Sequence, residues 1–360
     1  MTATAETTGI VNSLTTGRLP KWATWVILAA SWGVMIVVFA FVATGSGTEF
    51  NIAAALVLGT VLYIIGIFVF ALLVEGVRQA KDRVVTSLVV SAFLIALIPL
   101  ISLLYTVIVA GLPRFDILFF TSSMRNVVGE GGGALQAIIG TLLMTGAAAI
   151  ISIPVGLLTA IYLVEYGTGP LARAITFFVD VMTGIPSIVA GLFAFAFFAL
   201  ITGDAGIRFG FGGAIALSLL MIPVVVRSSE EMLKLVPNEL REAAYALGVP
   251  KWLTILKVVI PTSIAGITTG ITLAVARVIG ETAPLLIIAG FTASMNYDIF
   301  NDRMMSLPVF VYTQYANPGS VVQVYLDRAW TGALTLILIV MALNLIARLV
   351  ARIFSPKLAR

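Results

Sequence analysis

Long apolar runs broken by short polar segments set the pattern of this chain. Eight of them reach the length of about 20 residues that a helix needs to cross the hydrocarbon core of a bilayer: 22–44, 52–74, 84–110, 134–164, 174–201, 211–226, 261–289 and 329–353. In lipid a lone strand would leave its amides and carbonyls without partners, so each run is expected to be helical. The pattern predicts an all-α, polytopic transmembrane helix bundle of about eight spans with short loops. The first run follows a 21-residue Thr-rich tail without a small-x-small cleavage site, which reads as an anchoring helix and not as a removed leader.

Composition agrees and narrows the chemistry. The 360 residues are 60% hydrophobic and 11% charged, against about 25% charged in a soluble domain. Cysteine and histidine are absent. That excludes a disulfide frame, a thiol nucleophile, the usual zinc sites and His-based acid–base or triad chemistry. A formal charge of +4 is too small to point to nucleic acid. No cofactor and no metal is expected, and passage of a solute fits better than catalysis.

Charge placement predicts orientation. Arg18, Lys21, Arg78, Lys81, Arg83, Arg173, Arg227, Lys234, Arg241, Lys251, Lys257, Arg348, Arg352, Lys357 and Arg360 fall in one set of alternate loops together with both termini. The other set holds only Arg114, Arg125, Arg208, Arg303 and Arg328. Positive residues gather on the cytoplasmic side, so both termini are expected there.

Arg277 belongs to neither set. It falls near the middle of the run 261–289, four residues before Glu281. A charge at the centre of a spanning helix costs at least about 2.5–3.5 kcal/mol, so two in one helix need a reason. An i,i+4 ion pair that neutralises itself, or that staples two helices, is one; Arg before Glu is, however, the poorer order for such a pair. A permeation path is the other. A guanidinium offers paired donors that match two oxygens of an oxyanion. A carboxylate beside it repels sulfate, which carries no proton at neutral pH, yet can accept a hydrogen bond from the P–OH of hydrogen phosphate. Asp180, inside the fifth run, is a weaker candidate because it lies within two turns of Arg173 and could be interfacial.

The loop 227–260 reads as built. Ser228-Ser229-Glu230-Glu231 has the form of a capping box, Asn238 that of an N-cap, and Gly248 that of a helix stop. Between them Leu240, Ala243, Ala244 and Leu247 recur at i, i+3, i+4 and i+7, with Glu239 and Glu242 on the other face. An interfacial helix would carry bulky anchors and basic flanks. Small apolar residues with acidic flanks predict instead a helix that docks a cytoplasmic partner.

Glu242-Ala243-Ala244, Gly248 three residues on, and Val258-Val259-Ile260-Pro261 after nine more resemble the EAA motif of permease subunits of bacterial ABC importers, E-A-A-x3-G-x9-I-x-L-P, with Val258 and Ile260 as conservative departures. The run Arg277-Val278-Ile279-Gly280-Glu281-Thr282-Ala283-Pro284-Leu285 is similar to the R-x-x-G-E-T-A-P-L run of phosphate importer permeases. Gly184 to Leu192 in the fifth run and Met305 to Phe310 in an outer loop support it, and the Ala-Pro-Leu continuation favours the PstA type over the paired PstC type. The resemblance covers about residues 84–360. It implies a six-helix type I permease domain over 84–360 with a coupling loop at 227–260, preceded by residues 1–83, a tail and two extra helices. It also implies a multi-pass protein of the plasma or inner membrane that forms half of a phosphate pathway. The implied partners are a PstC-like second permease, a PstB-like ATPase dimer that uses the ATP, and an extracytoplasmic PstS-like phosphate-binding protein. Carried onto this chain, the pathway residues are Arg277, Glu281, Thr282, Ser187 and Asp180, and the ATPase-coupling residues are Leu240, Glu242, Ala243, Ala244, Leu247 and Gly248.

The chain contains no Gly-Lys dipeptide, hence no phosphate-binding loop of the G-x-x-x-x-G-K-[ST] type. Its Gly129-Glu130-Gly131-Gly132-Gly133 run reads as a flexible outer turn, Gly266 and Gly270 as a close-packing step, and Pro154, Pro186, Pro223 and Pro284 as kinks or breaks. Other readings stay open on the residues alone. Sulfate, molybdate and tungstate permeases share the EAA loop. A secondary anion transporter would also carry mid-membrane charge, but would show internal repeats. A membrane enzyme would need a larger convergent polar set.

Overall fold

The computed structural model describes residues 19–46 and 50–354. The Thr-rich tail with Arg18, and Lys357 and Arg360, lie outside the described residues, as do the side chains of Lys21 and Arg352. The described residues contain helices and no strand. Two compact units follow one another, Met1–Leu104 and Tyr105–Arg360.

The first unit holds α1 (Lys21–Ser46), α2 (Ile52–Val74) and most of α3 (Val77–Gly111). Helix α2 buries Ala55, Gly59, Tyr63, Ile67 and Ala71, a strict four-residue stripe. Gly59 lets the backbone of α1 approach: a Cβ there would stand 2.6 Å from Trp32 Cδ1. Trp32 Nε1 then donates to Thr60 Oγ1 at 3.2 Å. Where α2 turns into α3, Glu75 accepts from Arg83 Nε at 2.5 Å and Nη2 at 2.7 Å and from the Leu19 amide at 2.6 Å. The turn between α2 and α3 is therefore a charged clasp.

The second unit comprises α4 (Ile117–Thr121), α5 (Leu135–Ile161), α6 (Gly169–Thr183), α7 (Ser187–Thr202), α8 (Gly210–Lys234), α9 (Asn238–Ala246), α10 (Lys251–Thr254), α11 (Ile260–Ile279), α12 (Ala283–Ile288), α13 (Leu307–Ala316) and α14 (Val322–Phe354). A π-turn at Tyr162–Tyr166 ends α5, and a second at Ile255–Val259 joins α10 to α11. Helix α8 runs through the centre. It packs on α5 and α11 around Met144, Leu217, Met221, Ala274, Val278, Leu285 and Phe310. Gly266 against Met232 and Gly270 against Ser228 set α11 antiparallel to α8, and a Cβ at either glycine would collide at 2.2 and 2.5 Å. The glycine step thus packs helices within this chain.

Among the described residues seven helices are long and apolar enough to cross a membrane, or eight if the bent pair α6–α7 is one span. The expectation of about eight spans agrees with that number, but several spans differ in form. The run 174–201 is not one helix: Gly184-Ile185-Pro186 bends it by 110°, where proline disfavours the helical conformation of the residue before it and Gly184 caps α6. The run 211–226 continues to Lys234, so Ser228–Glu231 is helix interior and not a capping box; Ser229 and Glu230 are buried there. The run 261–289 begins at Lys251 and stops at Ile279, capped by Gly280, so Glu281 stands outside the helix of Arg277. The last span starts at Val322, which moves Arg328 from a loop into a helix, fully buried. Met305–Phe310 is likewise buried, with Ser306 capping α13 through its hydroxyl, and not an open outer loop. Pro154 and Pro223 lie inside continuous helices, whereas Pro186 and Pro284 stand at breaks.

The glycine run 129–133 is shaped by two arginines. Arg114 donates to the carbonyls of Gly131 and Gly132 at 3.3 and 2.6 Å, and Arg328 to Gly129 at 2.8 Å. Three left-handed glycines, Gly129, Gly131 and Gly132, present those oxygens inward.

Candidate functional site

The register of α8 against α11 fixes the depth of Arg277. Continued from the Gly270–Ser228 contact at 1.5 Å per residue, it places Arg277 at the level of about Met221, near the midpoint of α8. Helix α11 therefore ends in the middle of the bundle. Gly280, Glu281 and Thr282 make the break, and α12 carries on in a new direction. Unwound backbone at membrane depth is tolerated where it lines a cavity or is covered by protein. Arg277 stands in the last turn of α11, where the helix dipole favours a cation.

The side chain of Arg277 is exposed, and Glu281 is half-buried. Among the described residues neither makes a side-chain hydrogen bond or ion pair, so the i,i+4 neutralising pair does not form. The physical reason is the break: the backbone turns at Gly280 and removes Glu281 from the face of Arg277. Thr262, Thr269, Leu273 and Arg277 all lie exposed at seven- and four-residue steps, one open stripe along α11. The hydroxyls of Thr262 and Thr269 donate to the carbonyls of Val258 and Ala265, one turn back.

Helix α12 fixes the rest. Pro284 presses on Gly191 of α7, where a Cβ would stand 2.5 Å from the proline Cα. Leu285 and Ile288 pack on Gly213 and Gly212 of α8. Ser187, one turn before Gly191 in α7, and Thr282, two residues before Pro284, flank that contact, both half-buried. Arg277, Glu281, Thr282 and Ser187 are thus gathered around one break. Asp180 is not with them. It pairs with Arg227, which also donates to Glu230 at 2.8 Å, while Lys234 donates to the same carboxylate at 2.7 Å. This ladder ties α6 to the far half of α8, about 9 Å along α8 from the level of Arg277 and about 20 Å from the α12 contact at Gly213.

The second site is the α9 segment. Pro237 takes the N-cap position and Asn238 is the first helical residue, without a side-chain cap. Gly248 does stop the segment: its φ is +75°, its amide donates to Tyr245 O at 2.9 Å, and the Val249 amide donates to Ala244 O at 3.1 Å. The apolar face divides in two. Ala244 is buried against the bundle, whereas Leu240, Ala243 and Leu247 stay exposed with Glu239 and Glu242.

Arg241, which reads in the sequence as one more positive charge, anchors the helix. It bonds Glu165 at 2.9–3.0 Å and the α8 C-terminal carbonyls of Val236 and Leu233 at 2.6 and 3.0 Å. Both side chains are nearly closed to solvent, 12% exposed for Arg241 and 5% for Glu165. Lys251 completes the mount by donating to the Glu165 carbonyl and sitting 4.7 Å over the Tyr166 ring. The Glu165–Arg241 pair spans 76 residues, and no spacing rule could have found it.

Residues 152–360 match the family described as binding-protein-dependent transport system inner membrane component. The chain belongs to this family. A phosphate transport system permease protein PstA 1 of Mycobacterium tuberculosis is 48% identical over 278 residues, 76% of this chain and 89% of the relative. A phosphate transport system permease protein PstA of Pasteurella multocida is 38% identical over 78% of this chain and 96% of its own length. A solved bacterial alginate ABC transporter, in complex with a pentasaccharide-bound periplasmic protein, has a chain that matches 76% of this one with a TM-score of 0.55 at 13% identity, a likeness of fold. The protein is accordingly a multi-pass membrane permease of the ABC importer class, a class whose permeases work with ATPase and binding-protein partners.

Proposed function

We propose that this chain forms half of the transmembrane pathway of an ATP-driven importer of inorganic phosphate. The observation that carries the reading is the mid-bundle break, on whose two sides stand Arg277 and Glu281, neither with a side-chain partner among the described residues. Hydrogen phosphate would bind with two oxygens on the Arg277 guanidinium and donate its P–OH to Glu281. Thr282 and Ser187 supply hydroxyls at the same level. Sulfate has no proton for Glu281 and meets a bare negative charge. The PstA relatives support the substrate class.

The open stripe of α11 would face a second, PstC-like permease across the pathway. Helix α9 would seat in a PstB-like ATPase dimer through Leu240, Ala243 and Leu247, with Glu239 and Glu242 toward basic groups of the partner and Gly248 setting the exit of the chain. Hydrolysis belongs to that partner: this chain binds no ATP, cofactor or metal. A PstS-like protein would deliver phosphate from outside. Both termini would lie in the cytoplasm of a plasma or inner membrane, a placement that the Lys and Arg asymmetry supports.

The test is reconstitution with the genomic neighbours in proteoliposomes and ATP-driven uptake of labelled phosphate against sulfate and molybdate. Phosphate uptake by wild type and its loss in Arg277→Gln support the reading; an intact assembly that carries sulfate and not phosphate overturns the substrate.

A further inference from the structure

The outer end of α12 carries a second pair of cations. Arg208 leaves the loop between α7 and α8, and Arg303 the loop between α12 and α13. Their stems converge on Gly290, where φ is +78° and a Cβ would stand 3.1 Å from Arg208 Cδ and 3.3 Å from Arg303 Cδ. Both arginines line an open cavity of about 320 Å³ together with Asp204, Asn301 and Asp302. Among the described residues neither guanidinium has a hydrogen-bond or ion-pair partner, although two carboxylates share the cavity with them.

The walls of the cavity are built. Asn296 Nδ2 donates to the carbonyls of Asn301 and Arg303 at 2.8 and 3.1 Å. Asp298 accepts from the Phe300 amide at 2.9 Å and from Asn301 Nδ2 at 2.6 Å. The Phe211 amide bonds Ile299 O at 2.6 Å, and the Met304 amide bonds Ala289 O at 3.1 Å. Asp302 is held at φ +56°, a left-handed conformation that needs such support. Both guanidinium groups are exposed, so on this braced frame their charge is open to an anion that enters the cavity.

We propose that Arg208 and Arg303 form an outer receiving site for a protonated oxyanion, hydrogen phosphate, from which it passes inward to Arg277. This rests on the phosphate-import reading. The cavity lies one short helix outward from Glu281, since α12 has six residues and spans about 9 Å. Its composition repeats that of the inner site: guanidinium groups for the oxygens and a carboxylate, Asp302, for the P–OH. Sulfate, having no proton to give, is disfavoured at both stations.

The experiment compares wild-type importer with Arg208→Gln/Arg303→Gln in proteoliposomes, measuring labelled phosphate uptake and ATP hydrolysis together, with binding protein saturating. Co-purification with the second permease and the ATPase confirms assembly. Loss of charge-assisted bonds to the anion is expected to cut phosphate delivered per ATP by about tenfold, while stimulation of hydrolysis by loaded binding protein holds. Arg208→Lys/Arg303→Lys should restore much of the delivery, and Asp302→Asn should narrow the preference for phosphate over sulfate. Unchanged delivery per ATP overturns the site. Stimulation lost in step with uptake also overturns it, because the arginines would then dock the binding protein. A wild-type importer that carries no phosphate overturns the substrate of both sites and is recognised without any variant.

Discussion

Arg241 and Arg277 meet opposite fates: the first is nearly closed to solvent, the second is exposed. Arg241 is saturated: a buried carboxylate and two helix-terminal carbonyls take its donors. Arg277 has none. A buried charge costs several kcal/mol unless it is paired, so the buried, paired arginine serves the protein's own architecture, whereas the exposed, unpaired one is open to something that comes and goes. The contrast separates a mount from a binding site without reference to motif.

Breaking the mount should have the largest effect. Arg241→Gln leaves Glu165 buried without its partner and is expected to cost about 3 kcal/mol or more, read as a lower midpoint of thermal unfolding in detergent, with hydrolysis uncoupled from uptake. Arg277→Gln should do the reverse: uptake falls by about 100-fold, the loss of two charge-assisted bonds, while the unfolding midpoint stays where it was. If that variant unfolds early instead, Arg277 is structural and the distinction collapses. Glu281→Gln should retain uptake but weaken discrimination against sulfate by about tenfold, one charge-assisted interaction, measured by competition. Gly248→Ala strains a left-handed position by about 1 kcal/mol and should lower ATPase affinity in co-purification before it touches insertion.

The smallest effect concerns the outer loop and pH. The Asn301 amide, and then the Phe300 amide, hold the Asp298 carboxyl below the usual carboxylate range. A lowered folded value means that the support is present above the unfolded value and is lost as pH falls through the folded one. Hydrogen exchange at Phe300 and Asn301 should therefore quicken only in acid, and Asp298→Asn should quicken it at neutral pH.

Hydropathy alone made the number of crossings legible, because eight apolar runs admit few other solutions, and the small-residue steps at Gly266 and Gly270 announced close packing correctly. Helix ends were less legible. Ser228–Glu231 has the local chemistry of a cap, yet tertiary burial of Ser229 and Glu230 carries the helix through it. Within the site, Arg277, Glu281, Thr282 and Ser187 were visible as polar residues in apolar runs. What spacing concealed was the break at Gly280, which turns an apparent ion pair into two separate groups, and the long-range partners of Asp180 and Arg241. Arg208 and Arg303 passed as ordinary outer charges, since only the fold brings their stems to Gly290.

The bend at Gly184–Pro186 has a consequence for the surrounding lipid. Two helices at 110° cannot both follow the membrane normal. Helix α7 is the more apolar of the two, and its 16 residues reach only about 24 Å, several Å less than the roughly 30 Å of a typical hydrocarbon core. A crossing made by α7 would thin or dimple the bilayer beside it, at a fraction of a kcal/mol per Å. Acyl-chain length thus becomes a control parameter: shorter-chain lipids relieve the mismatch, and thick, sterol-like bilayers deepen it at the very helix on which α12 rests.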